Sequence, residues 1–298
     1  MKNIFLFGAG ASHGSGGLNY LTPLGSQLFF DLKKHFSNTW GSLPKDVLKK
    51  LEENFEEGME IVWKEHSNNV GVLMQDMAVF FSKIIISNPS ENLYVSLVKE
   101  LKEKNILPDS VISTLNYDCL LELATIPNQI SIAYSLPFGE VKDSLLVWKL
   151  HGSCNFILDG IVAKRGVNYM SGAFFNGNGL KSIQISDVEQ YCRGDNALYP
   201  AMSIFMKDKP NQIGKPHIEA MQNKWKEWIL NAEKIFLIGV NPDMKDSHVW
   251  DSLSETKSKI FFCGNKDSFE KWQKIKSRND IYLGARFKEC YLDIIKNL

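Results

Sequence analysis

An excess of either charge is the first thing missing from this sequence. Lys plus Arg and Asp plus Glu each number 34, so the formal net charge is zero. A neutral total offers no basic stripe for nucleic acid or for an anionic membrane surface, and no direct nucleic-acid partner is expected. Long hydrophobic runs are also missing, and the longest stay well short of the roughly 20 apolar residues that span a bilayer. The N-terminal apolar run is about five residues, against the roughly 7–15 of a secretory signal core, and it ends in a glycine turn, so it reads as a first strand. The five cysteines, Cys119, Cys154, Cys192, Cys263 and Cys290, include no CxxC pair. A four-thiolate zinc site is therefore disfavoured, and no metal is expected. Odd, scattered thiols fit a reducing, cytoplasmic setting. No internal repeat or low-complexity segment occurs, which excludes solenoids and disordered arrays.

What is present is alternation. Short runs rich in Ile, Val, Leu and Phe read as buried parallel strands: Asn3–Phe7, Ser110–Thr114, Leu145–Leu150, Lys234–Ile238 and Lys259–Cys263. Between them lie stretches of helical period: Leu24–Phe36, Asp46–Phe55, Met59–Lys64, Val70–Ser87, Leu93–Lys104 and Ile218–Asn231. The pattern predicts an α/β fold, a doubly wound, mostly parallel Rossmann-like sheet. Strand spacing is uneven, and compact sheets use short connections. A single domain is expected, with its core in residues 1–38, 90–154 and 232–298, a helical insertion at 39–89 and a lid-like insertion at 155–231.

The first strand runs into Gly8-Ala9-Gly10-Ala11-Ser12-His13-Gly14. Glycines there allow a tight turn and a close approach of backbone to a diphosphate. Gly8-Ala9-Gly10 alone is a common strand-to-helix turn. The third glycine falls one residue late for GxGxxG, and no acidic residue ends a second strand about 20 residues on, so the redox dinucleotide fingerprint fails. A polar loop through Gly14, Gly17, Pro23 and Gly25 is expected to postpone the helix and to fold over a ligand.

Two further strand ends carry polar groups. Thr114-Leu115-Asn116-Tyr117-Asp118 places Asn116 and Asp118 just beyond one strand, and Leu150-His151-Gly152 places His151 beyond another. Ligands of open α/β sheets bind outside the carboxyl ends of the strands. Asn116-x-Asp118 equally suits a helix cap, and a histidine before glycine equally suits a turn.

The motifs GAGAS (Gly8–Ser12), TLNYD (Thr114–Asp118) and LHG (Leu150–Gly152) resemble, in order, those of the sirtuin family. The stretches Ile238–Val249 and Phe261–Asp267 resemble its last two nucleotide-contacting strand ends. The resemblance covers the Rossmann-like core only. Deacylase sirtuins carry two CxxC pairs after the His-Gly motif, where this chain has only Cys154 and Cys192. The chain is thus more similar to the NAD-cleaving branch found in bacterial anti-phage defence.

That resemblance implies an NAD glycohydrolase with NAD as substrate, which cleaves the nicotinamide–ribose bond to ADP-ribose or a cyclic form. It implies Asn116 on the ribose hydroxyls or the attacking water, His151 as base, and Asp118 orienting the site or meeting the nicotinamide end. Gly8, Ala9, Gly10 and Ser12 would cradle the diphosphate through backbone N–H groups. Gly239, Asn241 and Asn265 would meet the adenosine half. An NAD-depleting effector must be held silent, so gating by homo-oligomerisation or by a separate sensor or ATPase partner is expected. The apolar stripes of 39–89 are the expected contact surface. The alternatives are a non-catalytic NAD or ADP-ribose sensor or scaffold module and, less favoured, an NAD-dependent deacylase. His248 resembles a family position near the adenosine side, yet capping by Asp246 or Ser247 explains that triplet equally well. His13 suits a phosphate or an exposed loop. Trp225 and Trp228 suit a core or an interface.

Overall fold

The computed structural model describes residues 2–25, 27–134, 144–164, 173–206, 209–242 and 246–298. In chain order its elements are β1 (Asn3–Phe7), α1 (Ala9–His13), α2 (Gln27–His35), α3 (Lys45–Glu53), α4 (Phe55–Glu65), α5 (Ser67–Ser82) and α6 (Leu93–Glu103). There follow β2 (Ser110–Thr114), α7 (Leu120–Thr125), β3 (Ser131–Ala133), β4 (Ser144–Lys149), β5 (Phe156–Leu158), β6 (Leu180–Ser182), α8 (Val188–Arg193) and α9 (Lys215–Asn231). The chain ends with β7 (Lys234–Ile238), α10 (Ser247–Glu255), β8 (Lys259–Cys263), α11 (Lys266–Lys276), β9 (Ile281–Gly284) and α12 (Phe287–Lys296).

Seven strands form one sheet in the order β3-β4-β2-β1-β7-β8-β9, and every pairing in it is parallel. The chain winds outward from β1 in both directions, which makes the β1–β7 junction the topological switch point. Alternate residues of β1 serve opposite faces. Phe5 and Phe7 join the apolar cluster that holds α2 to α6 and α12, while Ile4 and Leu6 join the one that holds Trp225 and Ile229 of α9, Trp250 of α10 and Trp272 of α11. Both faces are therefore covered, and this is why the central strands read as continuous apolar runs. Phe5, Phe236 and Phe261 are paired in register on adjacent strands, and their rings stack at 4.9 and 5.0 Å. Among the described residues no helix is long and apolar enough to cross a membrane.

Both expected insertions are built into this core, although parts of the second (165–172 and 207–208) lie outside the described residues. The apolar stripes of 39–89 do not form an outer surface. Trp40, Val47, Leu51, Met59, Val62 and most of α5 are buried in the same cluster as Phe5. Ile85 is the one large apolar side chain of that stretch that stays exposed among the described residues. The reason for placing a partner there therefore falls away. In 155–231, Leu198, Tyr199, Ala201, Met202 and Ile204 are fully buried, and α9 covers one face of the sheet. These residues pack as a wall against the core.

The β1 turn also differs from expectation, since α1 starts directly at Ala9 with no intervening loop. The loop after α1 is tied to the protein. Gly17 accepts at its carbonyl from the N–H groups of Ser87 (2.8 Å) and Asn88 (2.9 Å), and Ser15 accepts from Leu93 (2.8 Å). His13 Nδ1 meets the Thr22 carbonyl at 2.6 Å, a tie within the loop.

Gly239 makes the tightest contact at the switch point. Its φ is +63°, and a Cβ built on it would lie 2.0 Å from the Ala11 nitrogen. Gly239→Ala is expected to cost more than about 3 kcal/mol in chemical denaturation, since strain and a backbone clash add. Gly25→Ala, at φ +48° with nothing within 4 Å, serves as the control. It should cost about 1–2 kcal/mol of local strain.

Candidate functional site

The β2–α7 loop, the β4 end and the β1–α1 turn meet at the carboxyl edge of the sheet. Asn116 Nδ2 donates to the Gly8 carbonyl at 3.0 Å and to Ser12 Oγ at 2.9 Å. Ser12 Oγ donates to Asp118 Oδ2 at 3.0 Å and lies 3.1 Å from Tyr94 OH. A hydroxyl has one hydrogen and two lone pairs, so Tyr94 must donate to Ser12. Every bond of that hydroxyl is thereby assigned. Both Asn116 N–H groups are engaged as well, which leaves its Oδ1 as an acceptor with no protein partner among the described residues.

This changes the reading of two residues. Ser12 is 1% exposed, and its hydroxyl holds Asn116 and Asp118 together. Asp118 is 5% exposed and also accepts from the Leu120 N–H at 3.1 Å, which makes it an orienting group. Burial pushes its carboxyl up, opposed by the nearby Lys149 ammonium.

The glycines, too, serve the protein itself. Gly8 N–H donates to the Ile238 carbonyl and Gly10 N–H to the Gly239 carbonyl, each at 3.0 Å. A Cβ on Gly8 would stand 2.6 Å from the Gly239 oxygen. Of the expected cradle, Ala9 remains as an exposed residue at the turn. Asn241 is exposed just past β7. The following residues, 243–245, fall inside the Ile238–Val249 resemblance and lie outside the described residues. Asn265 caps α11, its Oδ1 accepting from Ser268 N–H at 2.9 Å. It also lines a cleft of about 390 Å³ beyond β8 and β9 with Lys266, Tyr282 and Arg286.

His151 is 3% exposed, and its Nε2 lies 3.0 Å from Nε2 of His248. Burial, then His248, then Lys209 push His151 well below the ordinary histidine range, with the Leu115 backbone opposing. Burial and Lys209 bring His248 down to about 4. Both rings are thus neutral at pH 7. Capping does not explain His248, because the Asp246 side chain makes no cap bond and instead lies 3.8 Å from Lys209 Nζ.

Beneath the site lies a buried cation. Lys149 Nζ donates to the Asp118 carbonyl and meets Glu122 Oε1 at 3.1 Å, with neither side chain more than 8% exposed. Burial opposes its charge, but Glu122, Cys119 and Asp118 more than offset this and hold its pKa above the usual lysine value. Sequence reasoning missed Lys149 and Glu122. The signal was there: a lysine inside the apolar run Leu145–Leu150 must find a carboxylate partner. Cys119 and Cys154 are free thiols 3.6 Å apart beside this pair. Among the described residues no group of three or more His, Cys, Asp or Glu could hold a metal ion.

No protein-family model matches the chain, and no curated protein matches it. Among solved structures, a mutant Sir2 homologue in complex with ADP-ribose is similar over 99% of this chain and 90% of that chain. The identity is 12% and the TM-score 0.44.

Two measurements test the site's electrostatics and packing. Ser12→Ala strands the Asn116 amide, the Tyr94 hydroxyl and Asp118 at once, and should lower stability by about 1–3 kcal/mol in urea denaturation. His248 titrates near about 4 when folded and near its ordinary value of 6.5 when unfolded. Between these pH values the unfolded chain binds more protons, so the contribution is fully present above pH 6.5 and is lost as pH falls towards 4. His248→Phe should flatten the stability–pH slope there by up to about 1.4 kcal/mol per pH unit.

Proposed function

We propose that the chain is an NAD glycohydrolase that cleaves the bond between nicotinamide and ribose. The observation that carries this reading is the fixed Asn116, held through Ser12 and Asp118 with its Oδ1 unpartnered, near the switch point at which α/β sheets bind nucleotides. The succession of GAGAS, TLNYD and LHG motifs supports the same reading.

The chemistry suits these groups. Nicotinamide leaves NAD as a neutral base, so no general acid is needed for it. The incoming hydroxyl must lose a proton as its oxygen bonds to the ribose carbon and the glycosidic electron pair departs with the ring. Asn116 Oδ1 accepts from a ribose hydroxyl or from the attacking water and so fixes its direction. His151, neutral at pH 7, takes the proton. Asp118 orients Asn116 through Ser12, and Lys149 braces the Asp118 backbone. The adenosine half would lie towards Asn241 and the cleft that holds Asn265 and Tyr282.

By the same resemblance, we place the activity in bacterial anti-phage defence, as an effector that depletes NAD. Assembly, with further copies or with a sensor or ATPase partner, then gates it. Among the described residues, exposed Leu21, Leu24 and Phe30 are more available for such a contact than the buried stripes of 39–89.

Incubation of the purified, activated chain with NAD should release nicotinamide. Asn116→Ala and His151→Ala should each lower the rate by about 100-fold or more, read by chromatography. Unchanged release in both variants would refute the assignment of the site.

A further inference from the structure

His248 lies outside the three motifs, and nothing in the proposed chemistry so far uses it. It stands 97 residues from His151 in sequence, yet α10 delivers its ring to the end of β4. The two ring centroids are 5.1 Å apart with planes tilted by 59°, so the rings meet through their nitrogens and not by stacking. We propose that His248 is a positioning residue for His151, its imidazole fixing the orientation and the tautomer of the ring that takes the proton. This rests on the NAD-cleaving reading above.

Two neutral imidazoles joined Nε2 to Nε2 at 3.0 Å share one hydrogen between those atoms. Whichever ring carries it there, the other must carry its own hydrogen on Nδ1. The tautomers of the two residues are therefore locked together. When His151 takes the proton from the attacking hydroxyl, both of its nitrogens bear hydrogen. His248 Nε2 is then the acceptor for one of them. The His151 ring therefore keeps its orientation when it is protonated.

The surroundings make that acceptor matter. The charged group acting on both rings is Lys209, which disfavours a second cation. Its Nζ is 2.7 Å from Glu56 Oε1 on α4 and 3.8 Å from Asp246 Oδ1 at the start of α10, so its charge is partly balanced. The backbone of His151 is fixed independently, its carbonyl accepting from Ser203 N–H at 2.8 Å. Tyr117, whose hydroxyl donates to the Ser203 carbonyl at 2.8 Å, closes that side without a charge. With the main chain pinned, ring orientation is the freedom that His248 removes.

The test uses the full chain, NAD as substrate, and the variants His248→Ala and His248→Gln. Alanine should lower kcat by about tenfold or more with KM changed less than about threefold. It should also move the acid limb of the pH–rate profile upward, because the neighbouring ring that disfavours the charge is gone and water enters. Glutamine, which keeps a donor and an acceptor, should recover most of kcat. In parallel, the His151 ring nitrogens are followed by NMR: its titration should lie well below the ordinary histidine range in the wild type and higher in the alanine variant. Wild-type kcat and an unmoved His151 titration in His248→Ala would overturn the inference. Should the activated wild type release no nicotinamide, the functional reading fails, and the NMR titration alone decides the role of His248. If the alanine variant does not fold, the glutamine variant decides: retained kcat with a His151 titration like the wild type supports the inference, and a loss of kcat as large as that of His151→Ala counts against it.

Discussion

A single buried ammonium, that of Lys149, sets terms for the rest of the site. A charge that is 0% exposed must be paired and hydrogen-bonded, and Lys149 finds one carboxylate, Glu122, and one carbonyl, that of Asp118. Those two contacts tie three pieces of chain together: the end of β4, the loop after β2 and the first turn of α7. Removing either partner of such a pair typically costs about 3–5 kcal/mol, because the other charge is left stranded. The pair adds little net stability compared with an apolar substitute. Its worth is geometric, since it fixes the spacing between the loop that bears Asn116 and the strand that bears His151.

The same economy runs through the glycine turn. Gly8 and Gly10 lack side chains because the backbone at Gly239 passes within contact distance, and their N–H groups complete the pairing of β1 with β7. The turn shapes the floor of the switch point, and the polar work passes to side chains. Ser12 is the hinge of that work: it has one proton to give and receives two, which fixes Asn116, Asp118 and Tyr94 in a single arrangement.

Much of the sheet was legible in the sequence, for a physical reason. Strands buried on both faces are rich in large apolar and β-branched residues, and Asn3–Phe7, Ser110–Thr114, Lys234–Ile238 and Lys259–Cys263 are such runs, bounded as expected. The edge strands were not legible, because β3 has three residues and β9 is partly exposed and so carries no continuous apolar signal. The meeting of Asn116, Asp118 and Ser12 followed from strand ends facing one edge. The pairing of His151 with His248 did not, since it depends on the direction of α10, and local capping residues offered a sufficient explanation of that triplet. The apolar stripes of 39–89 were visible, but amphipathicity says only that a face is covered. It does not say whether a partner or the chain's own core covers it.

Gly152 has a mechanical consequence for the whole molecule. With φ at +77° and its Cα pressed so near the Ala201 carbonyl that a Cβ would stand 1.9 Å away, it mortises the β4 end into residues 198–204. Bonds from Ser153 N–H to the Ala201 carbonyl and from Ser203 N–H to the His151 carbonyl lock the joint from both sides. A force that pulls on residues 198–204 is therefore delivered to the backbone of His151, and any motion of that wall carries the histidine with it.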